Sequence, residues 1–157
     1  METLMVIKIK RALLAGLVVM LMTPLVAAGD ESENIIKYRE AMMKAIGGHL
    51  SASSLIIRGK VSYQDDLKGH ADALKQLSAD IPALFPEGSD FGETHAKPEI
   101  WEKWDDFVKA ADTLKASVEK FQVAVDSGDA DTIAATFKDV GNGCKGCHKD
   151  FREKHEH

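Results

Sequence analysis

A long stripe of apolar residues constrains the fold most. Between Trp101 and Val125 these residues recur every three or four positions over about seven helical turns. The stripe comprises Trp101, Trp104, Phe107, Ala111, Leu114, Val118, Phe121 and Val125. The spacing predicts an amphipathic helix with this face in the core, including both tryptophans, and Pro98 stands at its first position.

Three further segments have the same period. The first predicted helix begins at the cap-like pair Asp30 and Glu33 and ends near Gly59. Its stripe consists of Ile36, Met43, Ile46, Leu50 and Ile57. The pair Gly47–Gly48 in its middle either breaks the helix or lets a bulky group approach the backbone.

The second and fourth predicted helices flank the long one. The second is capped by Asp65 and Asp66, extends to Ile81 and is ended by Pro82 and Pro86. A loop is expected from Phe85 to Lys97 and a turn at 126–129. The apolar stripe of the fourth helix consists of Ile133, Phe137, Val140, Cys144, Cys147 and Phe151.

Four amphipathic helices with mostly short connections predict an all-α fold, an antiparallel up-down four-helix bundle. No segment shows convincing alternation of apolar and polar residues. The last helix of this bundle carries a C-terminal Cys-x-x-Cys-His motif.

The N-terminus has the pattern of a secretory signal. Lys8, Lys10 and Arg11 precede an apolar run, 12–28, that ends in small residues at Val26 and Ala28. This predicts a cleaved signal peptide over 1–28, a single domain over 29–157 and export to the periplasm. The alternative is an uncleaved membrane anchor, for which the apolar run is short.

The charge of the predicted mature chain is clearly negative. Residues 29–157 carry 17 basic and 24 acidic side chains, a net charge of −7. This argues against nucleic acid or an anionic membrane surface as a partner and favours a protein with a basic docking patch.

The only two cysteines lie together near the end of the chain. The motif continues with His148. Because Cys147 and His148 follow Cys144 by three and four positions, a helix places all three side chains on one side, towards the core. Three hypotheses follow: a disulfide or catalytic dithiol, a zinc site that also recruits His155, or covalent attachment of haem. Haem attachment uses every residue of the motif, with two thioether links and a proximal imidazole on iron.

The chain also resembles a known family. A C-terminal Cys-x-x-Cys-His on the last helix of a bundle is similar to the class II cytochromes c, the cytochrome c prime family. The similarity covers nearly all of the mature chain, at "KYREAMMKAIGGHL", "KPEIW" and "DVGNGCKGCHKDFR". The segments "LFPEGS" and "KPEIW" look closer to the low-spin, methionine-ligated subgroup.

The resemblance implies roles for individual residues. Cys144 and Cys147 hold one haem c, and His148 is the proximal iron ligand. Arg152 lies near the proximal imidazole, or else serves as a cation at a helix C-terminus. Arg39 meets a haem propionate, or else lies on a solvated helix face.

The sixth iron position depends on two adjacent methionines. Met42 and Met43 point about 100° apart on a helix, so at most one addresses the iron. The apolar stripe and the resemblance both favour Met43 as the distal ligand. The alternative is that Met43 merely covers the haem as a flexible apolar side chain.

The sequence therefore predicts a periplasmic mono-haem cytochrome that carries single electrons. The alternative is a five-coordinate cytochrome c prime that binds or scavenges NO or CO at an open distal site. An enzyme is not expected, because no polar pair stands out on the inner face of the first helix. Partners are redox proteins, and the resemblance implies a homodimer through the first two helices.

The other histidines have little support as ligands. His49 lies six residues after Met43 and points away from that face. The remaining four are expected at the surface or in loops: His70, His95, His155 and His157.

Overall fold

The computed structural model describes residues 28–154, with side chains from residue 31. The predicted signal peptide, apart from Ala28, and the tail at 155–157 lie outside this range. Five α-helices are present in it: α1 Ala28–Ile57, α2 Leu67–Leu77, α3 Glu99–Glu102, α4 Trp104–Ser127 and α5 Ala130–Phe151. None of these helices is long and apolar enough to cross a membrane.

The four longer helices form the predicted bundle. Consecutive long helices are neighbours, α1 with α2, α2 with α4 and α4 with α5, and α5 returns to contact α1. The described residues contain no β-strand, only an isolated bridge between Ala96 and Arg152. The antiparallel up-down four-helix bundle is therefore confirmed.

Helix α1 ends where the sequence predicts. Gly59 has a left-handed φ of 63°, and its N–H donates to the Ile56 carbonyl at 2.9 Å. The Lys60 N–H donates to the Leu55 carbonyl at 2.9 Å, which completes a Schellman motif. The predicted start is wrong, since the helix already includes Ala28 and Asp30 lies inside it. The Gly47–Gly48 pair does not break the helix.

Helix α2 is shorter than predicted. It ends at Leu77, and the Leu74 carbonyl accepts from both the Ser78 hydroxyl at 2.7 Å and the Ser78 N–H at 3.0 Å. Ile81 therefore lies beyond the helix, before a 3₁₀ turn at Pro82–Leu84. Asp66 occupies the N-cap position, but its side chain makes no capping hydrogen bond.

The predicted long helix is interrupted at Lys103. This residue has φ −125° and ψ 48°, which separates the single turn of α3 from α4. The core assignment of Trp104 is wrong, because the residue is 37 % exposed. Trp101 is half-buried, and its Nε1 donates to the Pro86 carbonyl at 3.2 Å.

The α4–α5 turn fixes the start of the motif-bearing helix. Gly128 adopts φ 73° at the end of α4, and the Asp129 carboxylate caps α5 by accepting from the Thr132 N–H at 2.7 Å. Further along, a Cβ on Gly143 would lie 3.3 Å from the Leu114 Cα. The helix backbones thus approach closely just before Cys144, which sets the register of the motif.

Candidate haem site

The two cysteines pack against the bundle core. Cys144 and Cys147 are both half-buried on the last turns of α5 and contact the core cluster. His148 is exposed, so the prediction that all three residues face the core is wrong for the histidine. On an α-helix His148 is rotated by about 40° from Cys144, at the edge of the apolar stripe.

The chemistry of the thiols argues against a catalytic dithiol. Burial, with added repulsion from Cys144 and Asp150, raises the pKa of Cys147 to about 11. Burial also raises the pKa of Cys144. Both groups are therefore neutral thiols at physiological pH, whereas a reactive dithiol needs an accessible thiolate.

A disulfide between the two cysteines and a zinc site find no support in the described residues. Both cysteines are free thiols, so they are not joined in a disulfide. No group of three His, Cys, Asp or Glu side chains converges to hold a metal ion in residues 28–154. His155, the proposed fourth zinc ligand, lies outside that range.

The environment of His148 favours a neutral imidazole. Although the residue as a whole is exposed, partial desolvation lowers its pKa, and the positive charge of Arg152 lowers it further. An imidazole must be neutral to bind a metal through a ring nitrogen. The imidazole is thus in the protonation state that binding to iron requires.

The segment after the motif is tied to the loop before α3. Arg152 lies one residue beyond α5 in an extended conformation, and its backbone N–H donates to the His148 carbonyl at 3.1 Å. The Lys97 N–H donates to the Phe151 carbonyl at 3.1 Å, and the Glu153 N–H donates to the His95 carbonyl at 2.8 Å. These bonds anchor the end of the motif helix.

Arg39 is buried, so its alternative placement on a solvated helix face is wrong. Its guanidinium donates to Ser89 Oγ at 2.9 Å, to the Ser89 carbonyl at 3.0 Å and to Thr94 Oγ1 at 2.8 Å. It also donates to the Leu84 carbonyl at 3.3 Å and lies 4.6 Å from the centre of the Phe85 ring. Burial lowers the pKa of Arg39, while Glu40 opposes this shift. The sequence missed Ser89 and Thr94, because nothing local in "LFPEGS" indicates an arginine contact.

The two methionines of α1 differ in their packing. Both are half-buried, but it is Met43 that packs against the core cluster. This supports the choice of Met43 over Met42 as the residue that faces the cofactor.

His70 corrects another prediction. It was expected at the surface or in a loop, but it lies half-buried on α2 with its Nδ1 2.9 Å from Nδ1 of His49. The contact forms because α1 and α2 are packed neighbours.

A helical bundle whose last helix carries this motif, with both thiols packed against the core, defines a c-type haem protein. The family model described as cytochrome c′ matches residues 34–152. The chain therefore belongs to the cytochrome c′ family, whose members bind one covalent haem c, and it carries one haem c with its iron.

Individual relatives are similar to this chain over most of its length. Cytochrome c′ of Pararhodospirillum photometricum is 36% identical over 126 residues, covering 77% of this chain and 98% of the relative. A nitric oxide complex of a cytochrome c prime variant from Alcaligenes xylosoxidans matches with TM-score 0.73 and 32% identity, over 78% of this chain and 97% of that one. A carbon monoxide complex of another variant of that protein gives the same TM-score, identity and coverage.

Proposed function

We propose that Cys144 and Cys147 form the two thioether links to the haem and that His148 is the proximal iron ligand. The packing of both thiols against the core supports this, as does the lowered pKa of His148. Arg152 would stabilise the neutral imidazole by its charge. Arg39 would contribute little to binding a haem propionate, because its guanidinium already donates four hydrogen bonds to the loop.

We propose further that the protein binds NO or CO on the haem face opposite His148. The observation that carries this proposal is the similarity to haem proteins solved as NO and CO complexes. Haem iron with one axial protein ligand has a free position, and the polarity and steric access of the distal pocket decide what binds there. Met43 would be the flexible apolar cover of that face.

A second candidate is the electron carrier in which Met43 is the sixth ligand, as in the low-spin subgroup. The observation that favours it is that Met43, and not Met42, packs against the core cluster that Cys144 and Cys147 also contact. A thioether ligand would raise the reduction potential and oppose the binding of exogenous gas. Both candidates are redox-active binding proteins rather than enzymes.

The absorption spectrum of the purified holoprotein separates the two. Gas binding predicts a high-spin ferric spectrum and ready CO binding by the ferrous protein, because no side chain occupies the distal position. Met43→Ala should then keep the spin state and accelerate CO binding, while Met42→Ala, the matched control, should change neither.

Methionine ligation predicts the opposite pattern. The wild-type ferric protein would show the far-red band of methionine-to-iron coordination, and Met43→Ala would turn it high-spin. That result would overturn the gas-binding proposal and establish the electron carrier.

We also propose that the protein is exported to the periplasm, cleaved after Ala28 and able to dimerise through α1 and α2. The N-terminal pattern supports export, and the relatives named above are bacterial. The proposed dimer rests on membership of the cytochrome c′ family. The mass of the periplasmic protein and its sedimentation coefficient test these points. An intact N-terminus or a strictly monomeric species would contradict the corresponding one.

A further inference from the structure

A pair of histidines joins α1 to α2. His49 and His70 are both half-buried, with their Nδ1 atoms 2.9 Å apart, their ring centres 5.2 Å apart and their planes at 61°. One imidazole donates a hydrogen bond and the other accepts it, so at least one Nδ1 presents a lone pair to the other ring. Two imidazole nitrogens from different helices are thus held together, and neither histidine is among the residues proposed above to hold the haem.

We infer that His49 and His70 bind a divalent transition-metal ion of the tetragonal kind, Cu²⁺ or Ni²⁺. Two nitrogens at about 2.0–2.1 Å from one ion and at right angles to each other lie about 2.9 Å apart. A tetrahedral ion would separate them by about 3.3 Å. The observed separation is that of a hydrogen bond and is close to that of neighbouring ligands of a tetragonal ion. Binding through both Nδ1 atoms requires the donor ring to move its proton from Nδ1 to Nε2, and both rings to turn about their Cβ–Cγ bonds towards the ion.

The pair has room for a hydrated ion. Both histidines are only half-buried, so each keeps part of its surface in contact with solvent. No third His, Cys, Asp or Glu in the described part of the chain joins the pair, so water completes the coordination.

A nearby polar group lacks a partner. Ser53 lies one turn after His49 on α1, is fully buried, and its hydroxyl makes no hydrogen bond to any described residue. Cβ atoms four residues apart on a helix are about 6 Å apart, within reach of a bridging water. A water on the ion would supply the hydrogen bond that Ser53 lacks.

The local charges do not oppose a cation. Lys68, two residues before His70, is engaged by Asp126 at 2.5 Å and by Asp72 at 3.6 Å. The net charge of −7 on residues 29–157 also attracts a cation.

Calorimetric titration of Cu²⁺ and Ni²⁺ into untagged ferric holoprotein tests the inference. We expect one equivalent of Cu²⁺ to bind and affinity to fall at least about tenfold in His49→Gln and in His70→Gln, since each removes one of two ligands. The matched control is His155→Ala/His157→Ala, which removes the tail histidines and should leave that equivalent in place. An unchanged haem spectrum and helical circular dichroism establish that each variant is folded.

Two further measurements identify the site. The electron paramagnetic resonance spectrum of the bound Cu²⁺ should show coupling to two nitrogens, and saturating Cu²⁺ should raise the melting temperature of the wild type but not of His70→Gln. Failure of the wild type to bind Cu²⁺ would overturn the inference. So would binding that survives in both glutamine variants or disappears in the tail variant.

Discussion

Arg39 is the side chain through which α1 holds the loop between α2 and α3. Its guanidinium is 3% exposed and donates four hydrogen bonds to the loop. Arg39→Met keeps much of the apolar stem but leaves these acceptors without their donor. We expect the free energy of unfolding to fall by about 2–4 kcal/mol, measured by urea denaturation of the holoprotein.

Lys37 provides the matched control two residues earlier on α1. Its ammonium group pairs with Glu33, and both side chains are more than 60% exposed. Exposed pairs contribute little, so Lys37→Met should change the free energy of unfolding by less than about 0.5 kcal/mol. Equal losses in the two variants would show that the loop contacts of Arg39 do not stabilise the fold.

The two kinds of site residue differ in how far the sequence predicts them. Cys144, Cys147 and His148 are neighbours along one helix, so the helical period alone places them together. Arg39 lies 50 residues from Ser89, and His49 lies 21 residues from His70. Such contacts depend on how helices and loops pack, and no local pattern specifies them.

At the scale of the helices, the contact between α4 and α5 depends on Gly143. A Cβ there would lie 3.3 Å from the Leu114 Cα and 3.5 Å from its Cδ1. The first neighbour is backbone in the middle of α4, so relief requires the two helices to move apart. We expect Gly143→Ala to lower the free energy of unfolding by about 1–2 kcal/mol despite the better helix propensity of alanine.

Gly69 on α2 is the control for this effect. A Cβ at Gly69 would meet nothing within 4 Å, and the residue is exposed. Gly69→Ala should therefore raise the free energy of unfolding by about 0.5–1 kcal/mol through helix propensity. Thermal or urea unfolding of both variants measures the difference in sign. If Gly143→Ala instead stabilised the protein, α4 would have moved to make room for the added methyl group at little cost.

The sequence predicts the existence of the helices better than their ends. Apolar spacing reports which face is buried, and this was sufficient for the bundle. The apolar spacing does not reveal the break at Lys103, because the helical hydrogen bonds continue on both sides of it. The N–H of Lys103 still donates to the Glu99 carbonyl, and the N–H of Phe107 still donates to the Lys103 carbonyl. One residue with ψ 48° ends α3 without interrupting the apolar stripe, yet it leaves Trp104 partly exposed.

At the scale of the whole molecule, the bundle has a tightly packed body and a less buried motif region. The residues below 2% exposure include Phe107, Phe121, Leu74, Ile100, Val118 and Val140. Met43, Cys144 and Cys147 pack against this core but remain half-buried. Because apolar contacts are incomplete there, the haem would contribute to the stability of the whole domain.

Replacement of both cysteines by alanine tests this dependence. Cys144→Ala/Cys147→Ala should retain no haem on the polypeptide after acid–acetone extraction, and its melting temperature should fall by about 10 °C or more, which corresponds to about 3 kcal/mol in a domain of this size. The control is the wild-type holoprotein, denatured and treated with a thiol-alkylating reagent with and without prior reduction. Both sulfurs should resist alkylation under either condition, because thioethers do not react as thiols. A gain of two alkyl groups only after reduction would indicate a disulfide, and retained pigment in the double variant would show that the haem is attached elsewhere.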